Sequence, residues 1–148
     1  MSRLSALRHF RRLGFRRQLV IVEATAALAA AAAAIAFLPF RKAVKLGSRP
    51  MPSTRSRIHG ASVEEICWSV DAMARRVPWR AMCFERGLAA QWMLRRRGHD
   101  AKLVYGARLA DRDGLDAHVW VTLADRILIG GEQAEEFQRL ATLPEWSH

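Results

Sequence analysis

A cysteine stands at the predicted start of a helix in the middle of the chain. Pro78 fixes its own backbone and ends the preceding segment, and from Cys83 onward the residues favour helix. Gly98 follows three arginines, which is a typical C-terminal stop because cations and then glycine suit that end. A thiol at a helix N-terminus lies among unpaired backbone N–H groups, which favour the nucleophilic thiolate. The pattern therefore predicts that Cys83 is a nucleophile.

A histidine follows later, in a segment that alternates as a strand does. Residues 116–123 place His118 and Trp120 on one face, and Val119 and Val121 on the other. A Cys on a helix and a His on a later strand can be neighbours in space. We interpret His118 as the general base for Cys83, and Trp120 as core.

The second cysteine has a different context. Ser62 can cap a helix whose apolar stripe contains Cys67, so we interpret Cys67 as a small buried hydrophobe. Two cysteines in unlike settings predict no disulfide framework and a reducing cytoplasm. The sequence has no metal-ligand spacing and no glycine-rich phosphate loop, so we predict no metal and no cofactor.

The N-terminal third is basic and then apolar. Residues 1–18 read as a basic amphipathic helix, and residues 19–38 as a long alanine-rich helix that Pro39 ends. Its length is near that of a membrane span, but Glu23 lies inside it and alanine contributes little insertion energy. We therefore expect a cytoplasmic protein, with membrane association through this segment left open.

The rest of the chain predicts an α+β domain. A Pro-rich connector divides the chain into a helical hairpin at 1–46, a linker at 47–60 and a main domain at 61–148. After the Cys83 helix come a strand at 101–109, the His118 strand, a turn at 124–126 and a returning strand at 127–129. Residues 135–140 predict a short helix. The arrangement is a helix that carries the cysteine, packed on a small antiparallel sheet.

The net charge points to an anionic partner. Lys and Arg number 24 against 14 Asp and Glu, which gives +10. Such a balance suits nucleic acid, a membrane surface or an acidic polypeptide.

The region from Pro78 to about Pro144 resembles the lasso peptide biosynthesis B2 proteins. These are transglutaminase-like cysteine proteases, related to the C-terminal half of the microcin J25 processing protein. The matching residues are Pro78-Trp79 followed by Cys83, then Leu94-Arg95-Arg96-Arg97-Gly98, Leu103-Val104-Tyr105-Gly106 and Ala117-His118-Val119-Trp120-Val121. The apolar N-terminal helix ending in Leu38-Pro39-Phe40-Arg41 also resembles the family, so the likeness covers nearly the whole chain.

The resemblance implies a third catalytic group that this chain lacks. The family has an Asp twelve positions after the His, and here that position is Gly130. If the turn centres on residues 124–126, Glu132 is a diagonal neighbour of His118 on the same face, so we predict Glu132 as the third residue. Asp116, a backbone carbonyl or a Cys–His dyad remain alternatives, whereas Asp125 lies too far along the hairpin.

The resemblance also implies a function. It implies a leader peptidase that acts on a lasso precursor peptide, with a separate B1 leader-recognition protein and an ATP-dependent lasso cyclase as partners, and we predict no nucleic-acid partner. The alternative is a non-enzymatic adaptor that binds a membrane, a nucleic acid or another partner through its Arg-rich N-terminus. On that alternative, Cys83 and His118 have no catalytic role.

Overall fold

The computed structural model describes residues 3–48, 60–111 and 114–144. Five helices come first in the described chain: α1 (Arg3–Arg12), α2 (Phe15–Phe37), α3 (Phe40–Ser48), α4 (Val63–Ala74) and α5 (Cys83–Arg96). A small sheet follows, with a 3-10 helix before its last strand: β1 (Ala101–Ala110), β2 (Gly114–Leu123), β3 (Arg126–Ile129), the 3-10 helix (Gly131–Glu136) and β4 (Gln138–Leu143). The predicted α+β class, with the cysteine helix on an antiparallel sheet, is confirmed.

Helix α5 is the centre of the molecule. Its apolar residues Leu88, Ala89 and Leu94 are fully buried, and it packs on α2, α3 and α4 as well as on β1 and β2. Gly87 allows the close approach to the sheet, because a Cβ there would lie 2.7 Å from Leu103 Cδ1. The predicted stop is confirmed: Gly98, just past the end of α5, has φ +82°, which suits glycine.

Helix α2 packs into the same core as α4 and α5. Its buried side is formed by Val20, Ala24, Leu28, Ala31 and Ala34. The single acid within it, Glu23, accepts two hydrogen bonds from the guanidinium of Arg97, at 2.6 and 3.0 Å. The proposed division at residues 47–60 remains a prediction, because residues 49–59 lie outside the described chain.

The four strands are antiparallel and lie in the order β3-β2-β1-β4. Because side chains alternate, the sheet has two different faces. One face lies against α5, through Leu103, Val119 and Val121. The opposite face carries a separate apolar cluster of Val104, Trp120, Ala134 and Phe137. Trp120 is 3 % exposed, so its interpretation as core is confirmed.

Three local predictions were wrong. The helix predicted at 135–140 is instead the end of the 3-10 helix followed by β4, which pairs with β1. The turn is Ala124-Asp125, since Leu123 pairs with Arg126, and Ala124 takes the positive φ of +52° that so tight a turn needs. The basic N-terminal helix breaks before Gly14, where Gln18 Nε2 donates to the carbonyls of Phe10 and Leu13 at the end of α1.

The Glu23–Arg97 pair should stabilise the docking of α2 on α5. Glu23→Gln leaves a guanidinium that is 8 % exposed without its charged partner, so we expect a loss of about 3 kcal/mol in the free energy of unfolding. Urea denaturation measures it. Arg126→Gln is the control, because the pair that Arg126 forms with Glu64 is exposed on both sides; equal midpoints for the Glu23→Gln variant and the unchanged protein would contradict the prediction.

Candidate active site

Cys83 is the first residue of α5, as predicted. Met82 before it is extended, and its N–H donates to Glu85 Oε2 at 3.0 Å, which closes the first turn. The thiol is free and partly buried, at the edge of the main core. The Phe84 ring lies 6.0 Å from the Tyr105 ring, so the start of α5 lies at the level of Tyr105 and of Val119, its partner on β2.

Cys67 lies in the core, as predicted. It is 9 % exposed and belongs to the main apolar cluster, with Ile66 and Val70. Burial, reinforced by the negative charges of Asp71 and Glu64, raises the pKa of its thiol to about 11. The two free cysteines therefore differ in reactivity, and Cys67 is the inert one.

His118 lies on β2, and one of its ring nitrogens is held by the backbone. Its Nε2 lies 2.8 Å from the carbonyl oxygen of Gly130. A carbonyl oxygen only accepts, so Nε2 must carry the proton, and in the neutral ring Nδ1 is then the acceptor. The ring also lies 5.1 Å from Phe137 and 6.0 Å from Trp120, measured between ring centroids.

Gly130 is fixed by two steric requirements. Its φ is +78°, and a Cβ at this position would lie 2.7 Å from the carbonyl oxygen of Val119. Any residue other than glycine would therefore be strained at this position, both by the positive φ and by the contact of its Cβ. The left-handed turn ends β3 and leaves the Gly130 carbonyl bonded to the His118 ring. The position that the resemblance assigns to an Asp thus contributes a backbone acceptor.

The structure brings Cys83 and His118 to the same level along β2 but to opposite faces of the sheet. Val119 and Val121 point at α5, so the neighbouring His118 and Trp120 point to the opposite face. Among the described residues, no hydrogen bond joins the Cys83 sulfur to the imidazole. Strand β2 lies between the two side chains. Its outer edge pairs with β3 only from Val121 to Leu123.

The geometry that suggested Glu132 does not form. A register shift in the β2–β3 ladder and the left-handed Gly130 end the strand, so Glu132 lies exposed on the 3-10 helix rather than diagonal to His118. Its role remains a prediction. Asp116 pairs instead with Arg108, at 3.3 Å, and Asp125 lies in the turn. Of the alternatives, the one that bonds to His118 is the backbone carbonyl.

Sequence reasoning placed residue 130 opposite His118 and named a backbone carbonyl among the alternative partners, but it did not identify the Gly130 carbonyl as that partner or Phe137 as a neighbour. Every residue has a carbonyl, so the sequence carries no direct signal for the first. The Gly130-Gly131 pair is an indirect signal, because adjacent glycines mark a turn that can direct a carbonyl inward. Phe137 lies within the segment wrongly predicted as a helix, and its contact depends on the unpredicted course of the chain into β4.

The fold and these residues define a class: an α+β domain whose central helix begins at a free cysteine and whose sheet carries a histidine held by a backbone acceptor. Residues 24–142 match the family model described as the transglutaminase-like superfamily, and the chain belongs to that superfamily, which includes cysteine peptidases. No curated protein and no solved structure matches the chain. The match begins within α2, which agrees with the packing of that helix in the main core.

The two cysteines should react with iodoacetamide at very different rates. Cys83 is partly exposed, whereas a pKa of about 11 leaves about one Cys67 thiolate in a thousand at pH 8. We expect a single label, on Cys83, in the folded protein and two labels in urea, as measured by mass spectrometry of peptides. Two labels at similar rates in the folded protein would refute the burial of Cys67.

The His118 ring should be the Nε2–H tautomer at pH values where it is neutral. Its hydrogen bond to the Gly130 carbonyl requires a donor at Nε2. Two-bond 15N–1H correlation spectra distinguish the tautomers, and His118→Gln assigns the signals by their loss. Spectra that give the Nδ1–H form would show that this hydrogen bond does not exist in solution.

Proposed function

We propose that this transglutaminase-like domain is a cysteine peptidase that removes the leader from a lasso precursor peptide. One observation carries the proposal: a free, partly exposed thiol occupies the first position of the central helix of a domain of this superfamily. His118, with Nδ1 as its acceptor, supplies the matching base. The lasso assignment itself rests on the resemblance of the motifs around these two residues.

The chemistry is a two-step hydrolysis. The Cys83 sulfur attacks the scissile carbonyl carbon while its proton passes to His118 Nδ1, and the N–H of Cys83 stabilises the oxyanion. The imidazolium then gives that proton to the departing amine, and an acyl-enzyme remains. His118 next takes a proton from water, the hydroxide attacks the thioester, and the thiol returns as the peptide acid leaves. The Gly130 carbonyl maintains the required tautomer.

This mechanism requires that the thiol and the imidazole meet at the open edge of β2. The edge is free of β3 beyond Val121, and the His118 ring already lies beside Gly130, next to that edge. Catalytic hydrogen bonds are often long without substrate and shorten when it binds. We include this closing movement in the proposal.

The proposed partners follow from the same resemblance. The substrate is the lasso precursor, a separate B1 protein recognises its leader, and the cyclase closes the ring after cleavage with ATP of its own. The positive charge of the chain, +10, suits an acidic leader or partner. The proposed location is the cytoplasm.

The structure gives the adaptor alternative one specific support. Within the described residues, α2 is the helix long and apolar enough to cross a membrane, with a mean hydropathy of 2.2 and 28 % of its most apolar window buried. Its outer side exposes Phe15, Val22 and Phe37, and arginines 11, 12, 16 and 17 are exposed at its N-terminal end. A basic helix beside an exposed apolar face suits an anionic membrane surface.

Cys83→Ala should abolish leader release, by roughly a thousandfold or more, because no other group can form the acyl-enzyme. The assay combines the purified chain with a precursor peptide and its B1 partner, and mass spectrometry identifies the products. Cys67→Ala is the matched control and should retain the unchanged rate, since Cys67 is buried in the core.

The same assay separates the two functions. Glu132→Gln tests the predicted third residue: a large fall in kcat supports it, and a rate within about twofold leaves the Gly130 carbonyl, which is among the described contacts of His118, as the third group. Replacement of arginines 11, 12, 16 and 17 by Gln should leave cleavage intact. Cleavage that survives Cys83→Ala, or that requires only those arginines, would contradict the peptidase and favour the adaptor.

A further inference from the structure

The face of the sheet that α5 covers continues past the start of that helix, where it is bare. Leu109 and Leu115 are directly paired across the β1–β2 hairpin. Leu109 lies four residues after Tyr105, and Leu115 lies four residues before Val119. Because side chains alternate along a strand, both leucines point to the α5 side of the sheet. They are 84 % and 74 % exposed. We call these two leucines, with Ala117 between Leu115 and Val119, the hairpin ledge.

The hairpin ledge lies at the thiol end of α5. The helix runs from Tyr105, which contacts Phe84, towards Ala101, whose carbonyl accepts a hydrogen bond from Gln91. Its N-terminus is therefore directed towards the hairpin tip. Met82, the residue before Cys83, is itself 53 % exposed. Exposed apolar side chains thus lie next to the nucleophile, at Met82, and farther along the sheet, on the hairpin ledge.

Next to the hairpin ledge, β2 offers an unpaired edge. In the described chain β3 pairs with β2 only from Val121 to Leu123, and Gly130 lies against the edge at Val119. Residues 114–117 of β2 therefore have no strand partner on that side. An extended peptide can add to such an edge through its backbone, and then its alternate side chains lie on one face of the sheet. On the α5 side of the sheet, those side chains of the peptide would lie next to the hairpin ledge. An edge of this kind favours an extended polypeptide over a small molecule or a helix.

We propose that the hairpin ledge and the free edge of β2 bind the peptide substrate in an extended form, and that Leu109 and Leu115 select a large apolar side chain near the scissile bond. This inference rests on the proposed peptidase function and adds its specificity. The two leucines lie four residues from Tyr105 and Val119, about 13 Å along the strands from the level of the thiol. An extended peptide of about four residues spans that distance, so the chain to be cut is an occupant that reaches both. The selected residue lies on the strand-like segment that pairs with β2.

The test uses quenched fluorescent decapeptide pools, each with one position fixed as Leu, Phe, Gln or Glu and the others mixed. The unchanged protein should cleave its best Leu or Phe pool about tenfold faster than the Gln pool at the same position. Leu109→Thr with Leu115→Thr should reduce that preference to about twofold, through a higher KM with kcat retained. Ile127→Thr is the control, because Ile127 is 47 % exposed and pairs with Thr122 on the other face of the sheet.

A binding measurement separates this inference from the peptidase proposal. Fluorescence anisotropy with labelled Leu and Gln pools on the Cys83→Ala protein should give tighter binding of the Leu pool, lost when the two leucines are replaced. This result stands even if the unchanged protein cleaves nothing, which would refute the peptidase alone. An unaltered peptide preference in the variant with Leu109→Thr and Leu115→Thr would contradict the proposed role of the hairpin ledge. The proposal would also be contradicted if light scattering showed a dimer that dissociates in the double variant while the peptide preference stays the same.

Discussion

Helix α5 lies so close to the sheet that position 87 has no room for a side chain. A Cβ on Gly87 would be 2.7 Å from Leu103 Cδ1 and 3.3 Å from Val119 Cγ2. The rest of the structure depends on this approach, because α2, α3 and α4 cover the other sides of α5 and share one core with the sheet. Gly87 is one turn after Cys83, so the contact that fixes the helix also fixes the height of the thiol above β2.

The side chains of β2 contribute to both faces of the sheet. Val119 and Val121 complete the core beneath α5, whereas His118 and Trp120 join Phe137 on the other face. Strict alternation therefore separates the imidazole from the helix that carries the thiol. Beyond Val121 the neighbour of β2 on its outer side is no longer β3 but Gly130 and the 3-10 helix, and the Gly130 carbonyl bonds the His118 ring there.

The sequence predicts the parts that depend on local patterns. The cap at Ser62, the start of α5 at Cys83 and the glycine stop at Gly98 follow from residue type and spacing, and the structure has all three. Strand β4 was missed because its half-exposed residues carry little alternation. The site was predicted less well than the fold. The placement of Glu132 depended on a register that one irregular pair in β3 shifts, and the partner of His118 is a main-chain atom.

A carbonyl in place of a carboxylate changes what the third group can do. The Gly130 oxygen fixes the tautomer of His118 as a carboxylate would, but it is neutral, so it stabilises an imidazolium by its dipole alone. In the proposed mechanism the imidazolium therefore has no carboxylate among the described contacts of His118. The thiol lies at the first position of α5, a helix of 14 residues whose place above the sheet is fixed by the close packing at Gly87. The constraint that determines the fold thus also fixes where the proposed nucleophile lies above β2.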